Sequence, residues 1–264
     1  MRIVTDDNFA SDRSVVALGM FDGVHIGHRV LLQRARALAD QRRVPLVVCT
    51  FQTHPLAVIA PEKCPPRLCT SAERNALMEA MGVDVLVAQP FTRETMDLLP
   101  EEYVGHLVRR FHPTDVVCGY NHTFGRKGQG TPALLEALGA ALGFATSIVP
   151  KITYEEADVS STVIRGLLQN GDVDIVCRML ARPYMLNASL IGREGRRRIF
   201  SLTADGKQRL AQGSYRAACT DGEKRYPVIA RFKPDDRVIF TLPEGCELKA
   251  DVQIHLLCNC SIDF

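Results

Sequence analysis

Residues 16–32 read VALGMFDGVHIGHRVLL. A run of branched and small apolar side chains stops at Gly19, a short loop carries Gly23, and a helical pattern starts near Gly27. Strand, glycine loop and helix in that order open an α/β sheet of parallel strands. The alternation continues downstream. SVVALG (14–19), VPLVVCTF (44–51), VDVLVA (83–88), TDVVCG (114–119) and ATSIVP (145–150) are short Val-rich runs of the kind buried on both faces. Between them GHRVLLQRARALAD (27–40) places Val30, Leu31, Arg34 and Leu38 along one helical side. Thr70 and Glu73 form a capping box for a helix that Gly82 ends. Pro100 begins PEEYVGHLVRRF, with Arg109 and Arg110 near the negative end of the helix dipole, and Thr131-Pro132 opens a helix that Gly143 closes. Ligands bind such sheets at the carboxyl ends of the strands. The informative residues should therefore follow Gly19, Phe51, Ala88, Gly119 and Pro150.

Ser160 to Ala181 reads as two short helices, SSTVIRGLLQN and VDIVCRMLA, split by Gly171. After Pro183 the texture changes. YMLNASLIG, RRIFSLT, SYRAACT, YPVIARF, RVIFTL and DVQIHLLC are short β-like runs separated by Gly, Pro and Asp, the spacing of a small antiparallel barrel or sandwich. Two domains are expected, 1–183 and 184–264.

The 264 residues are 46% hydrophobic and 23% charged, which excludes a wholly disordered chain. Lys+Arg 32 against Asp+Glu 30 leaves a net charge of +2, too weak a field for nucleic acid as the main partner. No apolar run reaches the roughly 18 residues of a membrane span. The N-terminal MRIVTDDNFASDR has acidic residues where a signal peptide has its apolar core, so the expected location is cytoplasmic. The nine cysteines are odd in number, and most sit in apolar runs, as Cys49, Cys118 and Cys177 do. Buried reduced thiols are expected. Cys64/Cys69 and Cys258/Cys260 lack C-x-x-C spacing, and no resident metal site is expected.

The chemistry concentrates in the opening stretch. A helix N-terminus binds phosphate through its free N–H groups and its dipole. Gly19 and Gly23 let backbone amides approach a ligand closely. His25 and His28, three apart in H-x-G-H at the helix start, can both face one anion and donate hydrogen bonds to it. Two histidines at this spacing also suit a metal, although no third ligand is evident, or are simply two surface histidines. The loop is neither a Walker loop nor the dinucleotide fingerprint.

H-x-G-H after a first strand resembles the signature of the nucleotidyltransferase superfamily. The longer GMFDGVHIGH (19–28) is similar to the adenylyltransferase module of bacterial FAD synthetases, most of which are bifunctional riboflavin kinase–FMN adenylyltransferases. TFQTHP (50–55), RLCTSAER (67–74), GYNHTFG (119–125), DVSSTVIR (158–165) and ARPY (181–184) resemble further segments of that family in the same order. The resemblance implies a Rossmann-like nucleotidyltransferase sheet followed by a small barrel-like β domain. It also implies a reaction in which ATP and FMN give FAD and pyrophosphate, with Mg²⁺ accompanying ATP. It gives His25 and His28 to the triphosphate. The Gly19–Gly23 loop, with Phe21 and Asp22, meets the nucleotide, and Asn121 hydrogen-bonds it. Ser161 and Thr162 contact phosphate, and Arg165 neutralises the leaving pyrophosphate. Pro55, Tyr103 and Phe124 line the flavin pocket. Plain structural roles stand beside these: a turn asparagine, N-capping hydroxyls, a solvated helix arginine and core packing.

Two positions depart from the family on the flavin side, Thr53 for a usual proline and His122 for a usual aromatic. The second domain departs further. The stretch LIGREGRRRIFSLTADG (190–206) stands where a kinase module carries a Gly-rich segment and P-T-x-N, and no P-T-x-N occurs in the chain. A degenerate riboflavin kinase domain is expected. The rival readings are full bifunctionality, a different phosphate-bearing acceptor, and a non-catalytic nucleotide- or flavin-binding regulator.

Overall fold

The computed structural model describes residues 1–6 and 9–257, which fall into two compact units. The first holds residues 1–65 and 71–153. In chain order it contains β1 (Arg2–Val4), β2 (Ser14–Leu18), α1 (Ile26–Arg42), β3 (Leu46–Phe51), α2 (Leu56–Ile59), α3 (Ser71–Ala80), β4 (Val85–Gln89), α4 (Arg93–Asp97), α5 (Pro100–Phe111), β5 (Pro113–Gly119), α6 (Pro132–Leu142) and β6 (Ala145–Val149). All six strands pair in parallel, in the order β1-β4-β3-β2-β5-β6. The sheet has one strand more than the five apolar runs of the sequence. β1 adds three residues at the edge, Arg2 opposite Val85 to Val4 opposite Val87. Three residues are too few for alternation to show in a sequence.

Successive side chains of β2 enter different cores. Val15 and Ala17 pack with α1 and α3, whereas Val16 and Leu18 pack with α5 and α6. The period of two puts apolar side chains on both faces, which is why the strand reads as a continuous apolar run. The buried side of α1 is Leu31, Leu32, Ala35, Leu38 and Ala39, rotated from the side expected around Val30 and Arg34. Val30 is 38% exposed and Arg34 is exposed, because the aliphatic set at 31, 35 and 38 makes the tighter stripe at i, i+4 and i+7. Thr131 caps α6 through Leu134 N–H, and Gly143 ends it in a left-handed conformation, as its sequence indicates.

The second unit holds residues 66–70 and 154–264, described here to Leu257. The hairpin strands β7 (Thr153–Tyr154) and β8 (Ala157–Asp158) precede α7 (Ser161–Asn170) and α8 (Val173–Leu180). Then come β9 (Tyr184–Glu194), β10 (Arg197–Leu202), β11 (Gly213–Thr220), β12 (Arg225–Phe232), β13 (Arg237–Thr241) and β14 (Asp251–Leu256). These six close an antiparallel barrel in the order β10-β13-β12-β11-β14-β9. Closure leaves no unpaired edge, the feature that separates a barrel from a sandwich. A short segment from far upstream belongs here as well. Arg67 N–H donates to Gly206 O at 2.9 Å, Gln208 N–H to Arg67 O at 2.8 Å, and Leu68 is buried in the barrel unit's core.

That core also contains Ile164 and Leu168 of α7 and Val176, Cys177 and Leu180 of α8. The compact units therefore part near Thr153 rather than at the change of texture at 183/184, because the apolar faces of both helices are covered by the barrel. Among the described residues no helix is long and apolar enough to cross a membrane. The seven described cysteines are free thiols, four of them buried; Cys258 and Cys260 lie outside the described residues. Burial pushes the Cys49 thiol up to about 12 and that of Cys118 to about 11, so neither is reactive near neutral pH.

A fragment ending at Pro183 carries α7 and α8 without the barrel that buries them. It should bind the dye ANS strongly at neutral pH while the intact chain does not. Weak dye binding by a folded 1–183 fragment would show that these helices have another cover.

Candidate active site at the H-x-G-H turn

The chain leaves β2 at Leu18 and enters α1 at Ile26 through a loop with three left-handed residues, Phe21 (φ 53°), Gly23 (φ 81°) and Val24 (φ 40°). The glycine adopts this freely, whereas a residue with a Cβ loses roughly 1–2 kcal/mol there. Phe21 and Val24 are both wholly buried among β2 and α1 side chains. Burying such side chains stabilises by roughly 1.5–3 kcal/mol each, enough to hold both residues in place. Two hydrogen bonds pin the loop to the end of β3, from Gly19 N–H to Cys49 O at 3.3 Å and from Thr50 Oγ1 to Met20 O at 3.1 Å.

His25 is the N-cap of α1. Its Nδ1 accepts the His28 backbone N–H at 3.3 Å, so in the neutral ring the proton sits on Nε2. The His25 and His28 rings stack, with centroids 3.7 Å apart and planes at 15°. Two imidazolium ions at that separation would repel, and burial with the neighbouring His25 holds the His28 pKa well below its ordinary value. His28 is therefore neutral near pH 7, and the turn offers N–H dipoles to an anion. The glycine between them has a steric reason: a Cβ on Gly27 would lie 3.2 Å from His25 Nδ1. Phe21, expected to touch the nucleotide, is wholly buried and has no exposed surface to do so; its ring packs over Gly19 and against His28. Asp22 is half-buried on the same loop.

Because β3, β2 and β5 are adjacent in the sheet, the H-x-G-H loop, TFQTHP and GYNHTFG all emerge at its carboxyl edge. Asn121 is exposed just beyond β5, its Oδ1 only 3.5 Å from where a Gly119 Cβ would stand. Pro55 is half-buried at the start of α2, and Thr53 is exposed. Phe124 is buried in the sheet's second core, with Tyr103 at 5.4 Å and His122 stacked at 5.9 Å and 22°. A Cβ on Gly130 would meet the Phe124 ring at 2.5 Å, so this turn is tightly packed. Two residues escaped the sequence reading. Phe91, just beyond β4, makes an edge contact at 5.1 Å with Phe51, the last residue of β3. The buried guanidinium of Arg74 donates from Nη1 to Phe51 O at 2.9 Å, bracing the same strand end. Arg74 lay within the recognised RLCTSAER; nothing in the sequence marks Phe91.

Ser161, Thr162 and Arg165 belong to the second unit, in the first turns of α7. The N-cap there is Ser160, whose Oγ accepts Val163 N–H at 3.2 Å, so capping is not the task of Ser161 or Thr162. Arg165 Nε donates to Pro66 O at 2.6 Å, which ties this helix to the inserted 66–70 segment. Among the described residues no group of three or more His, Cys, Asp and Glu is arranged to hold a metal ion.

His122 generates a pH dependence. Its Nε2 is enclosed without a hydrogen-bond partner, and burial pushes its pKa down to about 4. The unfolded chain takes up this proton near pH 6.5 and the folded chain does not, so stability present at pH 7 is lost as pH falls towards 4. Between pH 7 and pH 5 this amounts to about 2 kcal/mol. Urea midpoints at the two pH values should show His122→Phe losing less stability than the parent by that amount. An equal loss in both proteins would mean that His122 is protonated in the fold.

Comparison with known proteins places the chain. The family described as FAD synthetase matches residues 8–163. A bifunctional riboflavin kinase/FMN adenylyltransferase of Bacillus subtilis (strain 168) is 33% identical over 181 residues, 68% of this chain and 57% of that protein. Its counterpart in Listeria monocytogenes is 32% identical over 189 residues, 71% of this chain and 60% of that one. The Escherichia coli K12 counterpart is 28% identical over 250 residues, 92% and 78%. The chain thus spans 57–60% of the length of the first two curated relatives. A crystal structure described as a macrolide-efflux protein from Streptococcus pneumoniae superposes with a TM-score of 0.84 at 22% identity, over 97% of this chain and 89% of that one, and shares the fold. With the match to more than half of its length centred on the sheet and its H-x-G-H turn, the chain belongs to the FAD synthetase family.

Proposed function

We propose that the chain is an FMN adenylyltransferase that transfers AMP from ATP to FMN, yielding FAD and pyrophosphate. The observation that carries this reading is the stacked His25–His28 pair at the strand-to-helix turn of a member of the FAD synthetase family. An oxygen of the FMN phosphate attacks the α-phosphorus of ATP. The bond from that phosphorus to the oxygen bridging to the β-phosphate breaks, and pyrophosphate leaves. A phosphate monoester is largely ionised at neutral pH, its second pKa being about 6, so no general base is needed. Catalysis then consists of positioning and of stabilising charge on phosphate oxygens. With Nδ1 of His25 occupied by the cap, its Nε2–H is the proton donor to the phosphates.

Asn121 and the Gly19–Gly23 backbone are assigned to the nucleotide, Ser161, Thr162 and Arg165 to phosphate, and Pro55 and Tyr103 to the flavin. Mg²⁺ would arrive with ATP, ligated by phosphate oxygens and water, and would neutralise triphosphate charge.

We further propose that the barrel unit is a catalytic relic. The P-T-x-N ligands are missing. Polar groups of the corresponding stretch are taken up by Asn187 on β9: Thr203 Oγ1 donates to Asn187 O at 3.3 Å, and Asn187 Nδ2 to Asp205 Oδ2 at 3.2 Å.

His28→Ala should lower the rate of FAD formation by about 10²–10³-fold while leaving the thermal transition near its parental value. A wild-type rate would remove His28 from the reaction. Chromatography of products with ATP and Mg²⁺ should show FAD from FMN but no FMN from riboflavin. Sustained FMN production by the intact chain would restore a kinase to the barrel unit, and pyrophosphate release with another phosphate-bearing acceptor but not FMN would move the substrate class.

A further inference from the structure

The aromatic ring beneath the H-x-G-H turn has a part to play that a nucleotide contact does not describe. Phe21 is wholly buried and left-handed, with φ 53°. Its Cζ lies 3.0 Å from where a Cβ on Gly19 would be, so the ring fills the space that this glycine leaves open. The same ring meets the His28 imidazole at 5.2 Å and 60°. A catalytic imidazole is ordinarily oriented by a hydrogen bond to its second nitrogen. His28 Nδ1 is enclosed and meets no such partner among the described residues. Its orientation is left to two ring contacts, the stack on His25 and the packing on Phe21.

We propose that Phe21 is a positioning residue, whose buried ring on Gly19 sets the orientation of the His28 imidazole at the phosphate-binding turn. Two constraints meet in this residue. The left-handed backbone turns its side chain inward, and the missing side chain at Gly19 gives the ring its seat. The titratable group facing His28 is His25, and both its stacking and the enclosure by Phe21 favour the neutral ring, in line with the lowered pKa of His28. The inference rests on the adenylyltransferase reading only for its kinetic consequence; the effect on the imidazole belongs to the ligand-free protein.

The test uses Phe21→Leu, which keeps an apolar side chain and loses the flat ring, with Phe21→Tyr as the ring-preserving comparison. NMR of protein labelled at histidine, recorded without substrate, follows the titration of His28 in each. Phe21→Leu should move its pKa upward towards the ordinary value. FAD formation should then drop in kcat by up to about 10²-fold, with KM for ATP within about twofold, as for a misplaced catalytic group. Adding Phe21→Leu to His28→Ala should cost little more than His28→Ala alone, because the two act through one imidazole. If Phe21→Leu denatures, the same titration shift is sought in Gly19→Ala, whose Cβ pushes the ring off its seat. A folded Phe21→Leu protein with parental His28 titration overturns the proposal, as does a multiplicative loss in the double variant. A shifted titration in a protein that makes no FAD would leave the positioning role standing and overturn the proposed function instead.

Discussion

The hydrogen bond from His28 N–H to His25 Nδ1 is the contact on which the site depends. It caps α1, and in the neutral ring it assigns the His25 proton to Nε2. It also brings the second imidazole one turn back over the first, within 3.7 Å. A helix N-terminus usually borrows Ser, Thr, Asp or Asn for this duty. In the proposed reaction the capping residue is also a donor to phosphate, so a local requirement of the helix and a requirement of phosphate chemistry would be met by one side chain. Gly27 follows from the same contact, because any Cβ there would crowd the capping nitrogen.

Neutrality is the electrostatic counterpart of that geometry. Burial and the close stack on His25 disfavour a charge on His28, so this ring supplies a hydrogen-bond dipole rather than countercharge. Dipoles held in place before the reaction lose nothing to reorganisation when charge shifts among phosphate oxygens. The net positive charge a triphosphate needs then falls to Mg²⁺ and to arginine in the proposed mechanism. The burial that holds the turn together is apolar and large. Phe21 and Val24 are anchored among β2 and α1 side chains, which turns two unfavourable backbone conformations into a fixed loop.

The two units differ in how they relate to the family. The first keeps GMFDGVHIGH, TFQTHP and GYNHTFG at the carboxyl edge of its parallel sheet. The second keeps a closed barrel while its polar groups at Thr203, Asn187 and Asp205 bond to one another. A barrel's closure depends on alternating apolar residues such as Phe200, Val238 and Ile254, which are all buried. In the proposed relic that pattern would survive the loss of polar ligands, because the apolar alternation does not depend on them.

The sequence by itself determined the layered architecture and the location of the chemistry. Strands buried on both faces read as Val-rich runs, and Gly, Pro and Thr marked where α5 and α6 start or end, because those signals are local to a few residues. The H-x-G-H string was legible for the same reason: cap, glycine and second histidine lie within one helical turn. Only the tertiary structure decided the rest. β1 exists because β4 offers it an edge. The packed side of α1 is the one that meets the sheet. Arg67 pairs with Gly206 and Gln208, far downstream in the chain. α7 and α8 belong with the barrel because their apolar stripes are covered there. Phe21 could be read as a ligand contact until its φ and its seat on Gly19 turned it inward. Each of these depends on which distant surfaces meet, and a pattern of neighbours along one chain carries no record of that.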